Sequence, residues 1–132
     1  MTRTNTEIVQ GTLAAWDRDD LDAWLACSHP DVEWYSEVAA RVEGSDGMYR
    51  GHDGLRRYWH EWRAIWDVQI EMSEFREYGE KVLAIGRVRA RGEGSGVGLE
   101  GPLALLVELQ DGLIRSARAY FDVEQADRDA RS

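Results

Sequence analysis

The sequence predicts an α+β fold, with helices from its first half packed on a sheet from its second. Three observations carry this reading. Apolar residues recur at helical spacing up to Trp66. From Val68 to Phe121 the pattern switches to strand alternation broken by glycine turns. The apolar face of that sheet has only the preceding helices to pack against, which closes a cone around a hydrophobic interior. In a chain of 132 residues, one domain over residues 1–132 is expected.

Each element has its own signal. Thr4-x-x-Glu7 forms a capping box and opens a helix with Ile8, Leu13 and Trp16 toward the core. Asp20 can cap a short second helix with the stripe Leu21, Trp24 and Leu25, ended by His29-Pro30. Val32 to Val38 alternates as a strand, and Arg41 to Gly54 reads as a loop. A third helix starts near His52 or Asp53. It turns Leu55, Tyr58, Trp59, Trp62, Ile65 and Trp66 inward, and Arg56, Arg57, His60, Glu61 and Arg63 outward.

Four strands follow. The parity of Val68 to Tyr78 changes between Met72 and Phe75, which predicts a bulge near Ser73 or Glu74. Val82 to Arg91 puts Arg87, Arg89 and Arg91 on one face. After Glu93-Gly94-Ser95-Gly96, Leu99 to Leu109 is apolar on both faces and reads as a central strand. Asp111-Gly112 signals a hairpin into a last strand, Leu113 to about Asp122. The DRDARS tail reads as solvated.

Composition narrows the function classes. Sixteen Lys and Arg against 25 Asp and Glu give a net charge of −9. Such a field repels phosphate backbones and anionic lipid surfaces, so neither nucleic acid nor a membrane is an expected partner. The single Cys27 cannot form an internal disulfide, and its helical, apolar setting reads as a small buried hydrophobe. The polar N-terminus has no signal-peptide core, so a cytoplasmic location is expected. His29, His52 and His60 lack metal-ligand spacing, and no cofactor motif is present; neither a metal nor a cofactor is expected.

Three stretches carry a family resemblance: IVQGTLAAWDRDDLDAWLACSHPDVEW, GRVRARGEGSGV and LQDGLIRSARAYFD. Over nearly its whole length the chain resembles the SnoaL-like branch of the NTF2-like superfamily. That resemblance implies a cone of about three N-terminal-half helices packed on a strongly curved antiparallel sheet. It also implies a homodimer through the convex sheet face, where Arg87, Arg89, Arg91, Arg118 and Tyr120 would lie; a plainly solvated face is the alternative. The superfamily includes isomerases, cyclases, hydrolases, binding proteins and dimerisation modules, so fold alone does not choose among them.

The acid–base groups of two related chemistries do not carry over. Where a ketosteroid isomerase places a tyrosine, a base and a second acid, this sequence has Thr12, Tyr35 and Leu105. Where epoxide-hydrolase relatives place an aspartate in the final strand, it has Ala119. The remaining catalytic candidates are Tyr35, Glu37 and His52, with Glu37 and His52 as a general acid/base pair if burial raises the glutamate. Whether a reaction occurs stays open at this point.

Six tryptophans are the unusual count. The expected pocket consists of Trp16, Trp34, Tyr35, Trp59, Trp62, Leu103, Leu105, Ala119 and Phe121, with Gly86 and Ala84 leaving room on the neighbouring strand. The expected partner is a small apolar, ring-bearing molecule. An isomerase, cyclase or hydrolase, and a dimeric interaction module without ligand chemistry, are the alternatives.

Overall fold

Capping fixes where the first helices begin. In the computed structural model, which describes residues 4–36, 40, 46–92 and 98–132, α1 spans Asn5–Asp17 and α2 spans Leu21–Ala26. The Thr4 hydroxyl accepts from the Glu7 N–H at 3.1 Å, and the Thr4 N–H donates to the Glu7 carboxylate at 3.1 Å. Asp20 caps α2 through the Ala23 N–H at 3.1 Å. These bonds satisfy donors that a helix start leaves free. β1 (Ser28–Tyr35) begins two residues after α2, so His29-Pro30 lies within the strand instead of ending the helix.

β2 (Met48–Arg50) pairs antiparallel with β1, in a stretch expected to be loop. It leads directly into α3 (Gly51–Ile65), and then β3 (Trp66–Tyr78), β4 (Lys81–Gly92), β5 (Gly98–Gln110) and β6 (Leu113–Tyr120) follow. The strand order is β2-β1-β6-β5-β4-β3. The sheet is mixed, because β1 runs parallel to β6 while the other four pairings are antiparallel. The β3 bulge sits between Met72 and Glu74. Asp111 and Gly112 both have positive φ, 54° and 77°, the geometry that lets a two-residue turn follow the strand twist.

Helices pack on both faces of the sheet, on the outer one over part of it. Inward side chains of β4 and β5, among them Val82, Ala84, Leu105 and Val107, join Val9, Trp16, Trp24, Leu55 and Trp59 in the main core. A second core lies on the outer face. There α4 (Val123–Arg131) sets Ala126 and Ala130 against Leu83, Ala104 and Tyr120. The tail is therefore a docked amphipathic helix and not a solvated end. Asp122 caps it, accepting from the Glu124 and Gln125 N–H groups at 3.1 and 3.2 Å. This explains why β5 is apolar on both sides: Leu103 and Leu105 meet the inner cavity, and Ala104 and Leu106 meet the α4 cluster.

Arg87, Arg89 and Arg91 do share an exposed outer face, and β3 answers them. Register sets Glu71 opposite Arg87 and Asp67 opposite Arg91, while Arg89 lies 3.4 Å from Glu100 of β5. Glu37, Val38, part of the Arg41–Gly54 loop and the Glu93-Gly94-Ser95-Gly96 connection lie outside the described residues. The side chains of Ile65, Trp66 and Leu99 do as well.

Candidate functional site

Between the helices and the inner sheet face lies a cavity of about 90 Å³, partly open to solvent. Leu13 and Trp16 of α1 and Tyr58 and Trp62 of α3 form its helical wall. Val68, Ile70 and Met72 of β3, Val88 and Ala90 of β4, Leu103 and Leu105 of β5 and Ala119 of β6 form its sheet wall. Trp34, Ser36 and Phe121 complete the lining. Strand pleat selects these residues: every second side chain of β3, β4 and β5 points inward. Among the described residues, no Asp, Glu, His, Lys or Arg lines this space.

Two of its lining rings, Tyr58 and Trp34, carry polar groups that lie close together. Tyr58 is half-buried and lines the cavity. Burial pushes its pKa above the ordinary tyrosine range, and the Trp34 side chain offsets only part of that rise. Trp34 Nε1 is itself buried with no hydrogen-bond partner. The contact between the two groups is thus too long or bent to satisfy the indole, yet close enough to polarise the phenol. Tyr58 stays protonated at neutral pH and so keeps an O–H that can donate, and it is not a base.

An aromatic cluster holds these rings in place. Tyr58 packs on Trp34 at 5.6 Å, on Trp62 at 5.8 Å and on Tyr49 at 5.0 Å between centroids. Behind the wall, Trp59 packs 4.9 Å from Trp16 and 5.1 Å from Trp24. The Arg63 guanidinium, expected on the solvent face, lies 4.1 Å over Trp59 and 4.7 Å over Trp16, and donates to the Trp16 carbonyl. It clips α3 to the end of α1 and fixes the Trp16 part of the wall.

The structure brings seven of the nine expected pocket residues to this cavity: Trp16, Trp34, Trp62, Leu103, Leu105, Ala119 and Phe121. It places two elsewhere. Trp59 is 3% exposed and fills the core between α1 and α2. Tyr35 follows Trp34 on β1, so the pleat turns it to the outer face, where Arg118 lies 4.6 Å over its ring. Gly86 and Ala84 do not line the cavity; Ala84 is core, and Gly86 lets the β3 backbone approach. Eight of the fifteen described lining residues were not among those expected, and the one with a phenol is Tyr58. Its place on the inward helical face was visible, but not its rotation toward the cavity.

The catalytic candidates do not meet here. His52 Nε2 hydrogen-bonds the Ser28 carbonyl at 2.9 Å, which ties the start of α3 to β1, and neither His52 nor Tyr35 lines the cavity. Glu37 lies outside the described residues. Thr12, at the position compared with an isomerase tyrosine, is buried and donates to the Ile8 carbonyl at 3.0 Å. Among the described residues, no three His, Cys, Asp or Glu side chains gather to hold a metal ion. No described helix is long and apolar enough to cross a membrane.

The outer face carries a more open groove of about 310 Å³ lined by Glu33, Tyr35, Met48, Lys81, Leu106, Glu108, Arg118 and Tyr120, among others. Tyr120 donates to Asp129 of α4 at 2.7 Å, and burial together with that bond pushes its pKa up to about 12.

Solved structures share this architecture. An NTF2-like protein of unknown function from Burkholderia pseudomallei is 22% identical, with a TM-score of 0.80 over 97% of this chain and 98% of that one. TerC, co-crystallised with polyporic acid, is 22% identical, with a TM-score of 0.78 over 97% and 98%. A protein with a ketosteroid isomerase-like fold from Catenulispora acidiphila, in complex with trimethylamine, is 18% identical, with a TM-score of 0.76 over 90% and 88%. At these identities the likeness concerns the fold alone. No curated protein matches the sequence. The family model for the SnoaL-like domain matches residues 9–117, most of the chain, and the protein belongs to that family, on an NTF2-like α+β cone.

Proposed function

We propose that the protein binds a small, uncharged, ring-bearing molecule in the inner cavity. One observation carries this reading: five aromatic side chains and a greasy sheet surround a void that no described charged group lines. Apolar burial drives binding at about 25 cal/mol per Å² before ordering costs. The volume of about 90 Å³ is well below the roughly 300 Å³ at which pockets for drug-sized molecules begin. That volume favours a single ring, with its edge in the open mouth, over a fused polycycle. The small molecules held by TerC and by the Catenulispora protein support ligand binding in this fold. Acid–base turnover has less support, because no described lining residue titrates near neutral pH.

Calorimetric titration with neutral single-ring compounds tests the proposal. Wild type should bind at least one of them, and Ala119→Leu, which fills the void from β6, should lose that binding while melting normally. No heat with any ring compound up to its solubility limit, or undiminished binding by Ala119→Leu, contradicts it.

A second reading concerns the outer face. The groove around Tyr35, Leu106 and Arg118 supports a homodimer through this face, with the Arg118 guanidinium stacked on Tyr35 and Tyr120 at its centre. Light scattering of wild type and Arg118→Glu tests it: the charge reversal should convert a dimer to a monomer. A wild-type monomer at high concentration contradicts it.

A further inference from the structure

Within the cavity, one polar group stands apart. Tyr58 lines the void, and its ring is gripped by Trp16, Trp24, Trp34, Tyr49 and Trp62 at centroid distances from 5.0 to 6.2 Å. Packing on five rings therefore holds the Tyr58 ring in place. Ser36 and Trp62 have partners of their own. Tyr58 does not: among the described residues its proton has no acceptor, and the nearby Trp34 N–H is 94% buried with its residue and unpartnered. Two hydrogen-bonding groups left unmatched in an apolar wall are costly, and a ligand atom that accepts a hydrogen bond relieves the cost.

We propose that Tyr58 is the recognition group of this chamber, and that its occupant is a neutral aromatic ring bearing a hydrogen-bond-accepting oxygen, such as an aryl ketone. This inference rests on the binding reading above. The Tyr58 O–H donates to the ligand oxygen, and the Trp34 N–H behind it polarises the phenol as charge shifts toward the oxygen. A carboxylate is excluded, because no described cation lines the void to offset the loss of its hydration and the protein's net charge is −9.

Three probes of similar shape test this: acetophenone, α-methylstyrene (its C=CH₂ analogue) and benzoate. They are titrated into wild type and Tyr58→Phe by NMR, following the tryptophan indole N–H and tyrosine ring resonances. Acetophenone should lose about three- to tenfold in affinity on Tyr58→Phe. α-Methylstyrene should bind both proteins alike, and benzoate should bind neither. In wild type, acetophenone but not α-methylstyrene should move the Tyr58 Cζ resonance, a readout that needs no variant. If both neutral probes bind but respond equally to Tyr58→Phe, or if benzoate competes, the inference fails and the chamber stands. If neither neutral probe binds wild type, the chamber reading fails and the inference goes with it.

Discussion

Replacing Gly86 with alanine probes how closely β3 and β4 approach beside the bulge. A Cβ at Gly86 would stand 2.0 Å from the Glu71 carbonyl oxygen, 2.7 Å from Met72 Cα and 2.8 Å from the Glu71 carbonyl carbon. All three are backbone atoms, so no rotamer change relieves the clash. Real Cβ contacts below 3.0 Å are essentially never found, so the strands must part by about 1 Å or more at this point. Overpacking of this kind costs about 1–3 kcal/mol, and a weakened ladder hydrogen bond adds about 1 kcal/mol. The lower chain entropy of alanine when unfolded returns about 0.4–1 kcal/mol. The net expectation is about 1–3.5 kcal/mol, or a melting temperature lower by roughly 3–15 °C for a chain of this size. Gly101→Ala is the matched control, with nothing within 4 Å of its added Cβ, and should stay within about 0.5 kcal/mol of wild type. Urea unfolding followed by tryptophan fluorescence measures both. Equal midpoints for the two variants would refute the reasoning. Because Ile70 and Met72 belong to the displaced strand and line the cavity, Gly86→Ala should also weaken ring binding.

Three further outcomes are expected. Arg63→Ala should cost about 1–2 kcal/mol in urea unfolding, and Arg63→Lys should recover little, since a compact ammonium cannot lie flat over both Trp16 and Trp59. Asp122→Ala removes the acceptor for two α4 N–H groups, which should cost about 1 kcal/mol and speed amide exchange in α4 without affecting α1. Acid should loosen α4 before the rest of the fold. Burial tends to raise the Asp127 pKa, but the Tyr78 hydroxyl, Arg131 and Arg76 outweigh it; for Asp129 the Tyr120 hydroxyl dominates, and both carboxyls are held below their ordinary value. Depressed folded values mean that this stabilisation is present above about pH 4 and is lost as pH falls through the folded pKa values. The Ala126 and Ala130 methyl resonances should therefore move below pH 4 ahead of those of Ala15; simultaneous movement would count against the ion-pair latch.

Local chemistry made much of the fold legible. The Thr4 capping box, the Asp111-Gly112 turn and the parity break near Ser73 each act through neighbours in sequence, and each sits where the spacing predicts. What stayed hidden depends on register or rotation. β2 is three residues long, too short for a period to show. The acidic partners of Arg87, Arg89 and Arg91 come from other strands and become visible only once register is known. α4 reads as solvated because, beyond Val123 at its start, its face toward the sheet is made by Ala126 and Ala130, small residues that leave a weak apolar stripe. On the sheet side of the cavity, Leu103, Leu105 and Ala119 follow from simple alternation. Tyr35 does not, because consecutive strand residues cannot share a face with Trp34. On α3, Tyr58 and Trp59 both point inward, and only the packing of α1 and α2 decides which meets the void and which is buried behind it.

A dry, ring-accepting interior is most directly tested by diffraction from crystals soaked in iodobenzene, whose iodine can be located by its anomalous signal. The apolar lining predicts one strong iodine peak enclosed by Trp34, Tyr58, Leu105 and Ala119, with no ordered water beside it. An empty anomalous map in that region, or a cluster of hydrogen-bonded waters filling it, would contradict the assignment of this space as a ligand chamber.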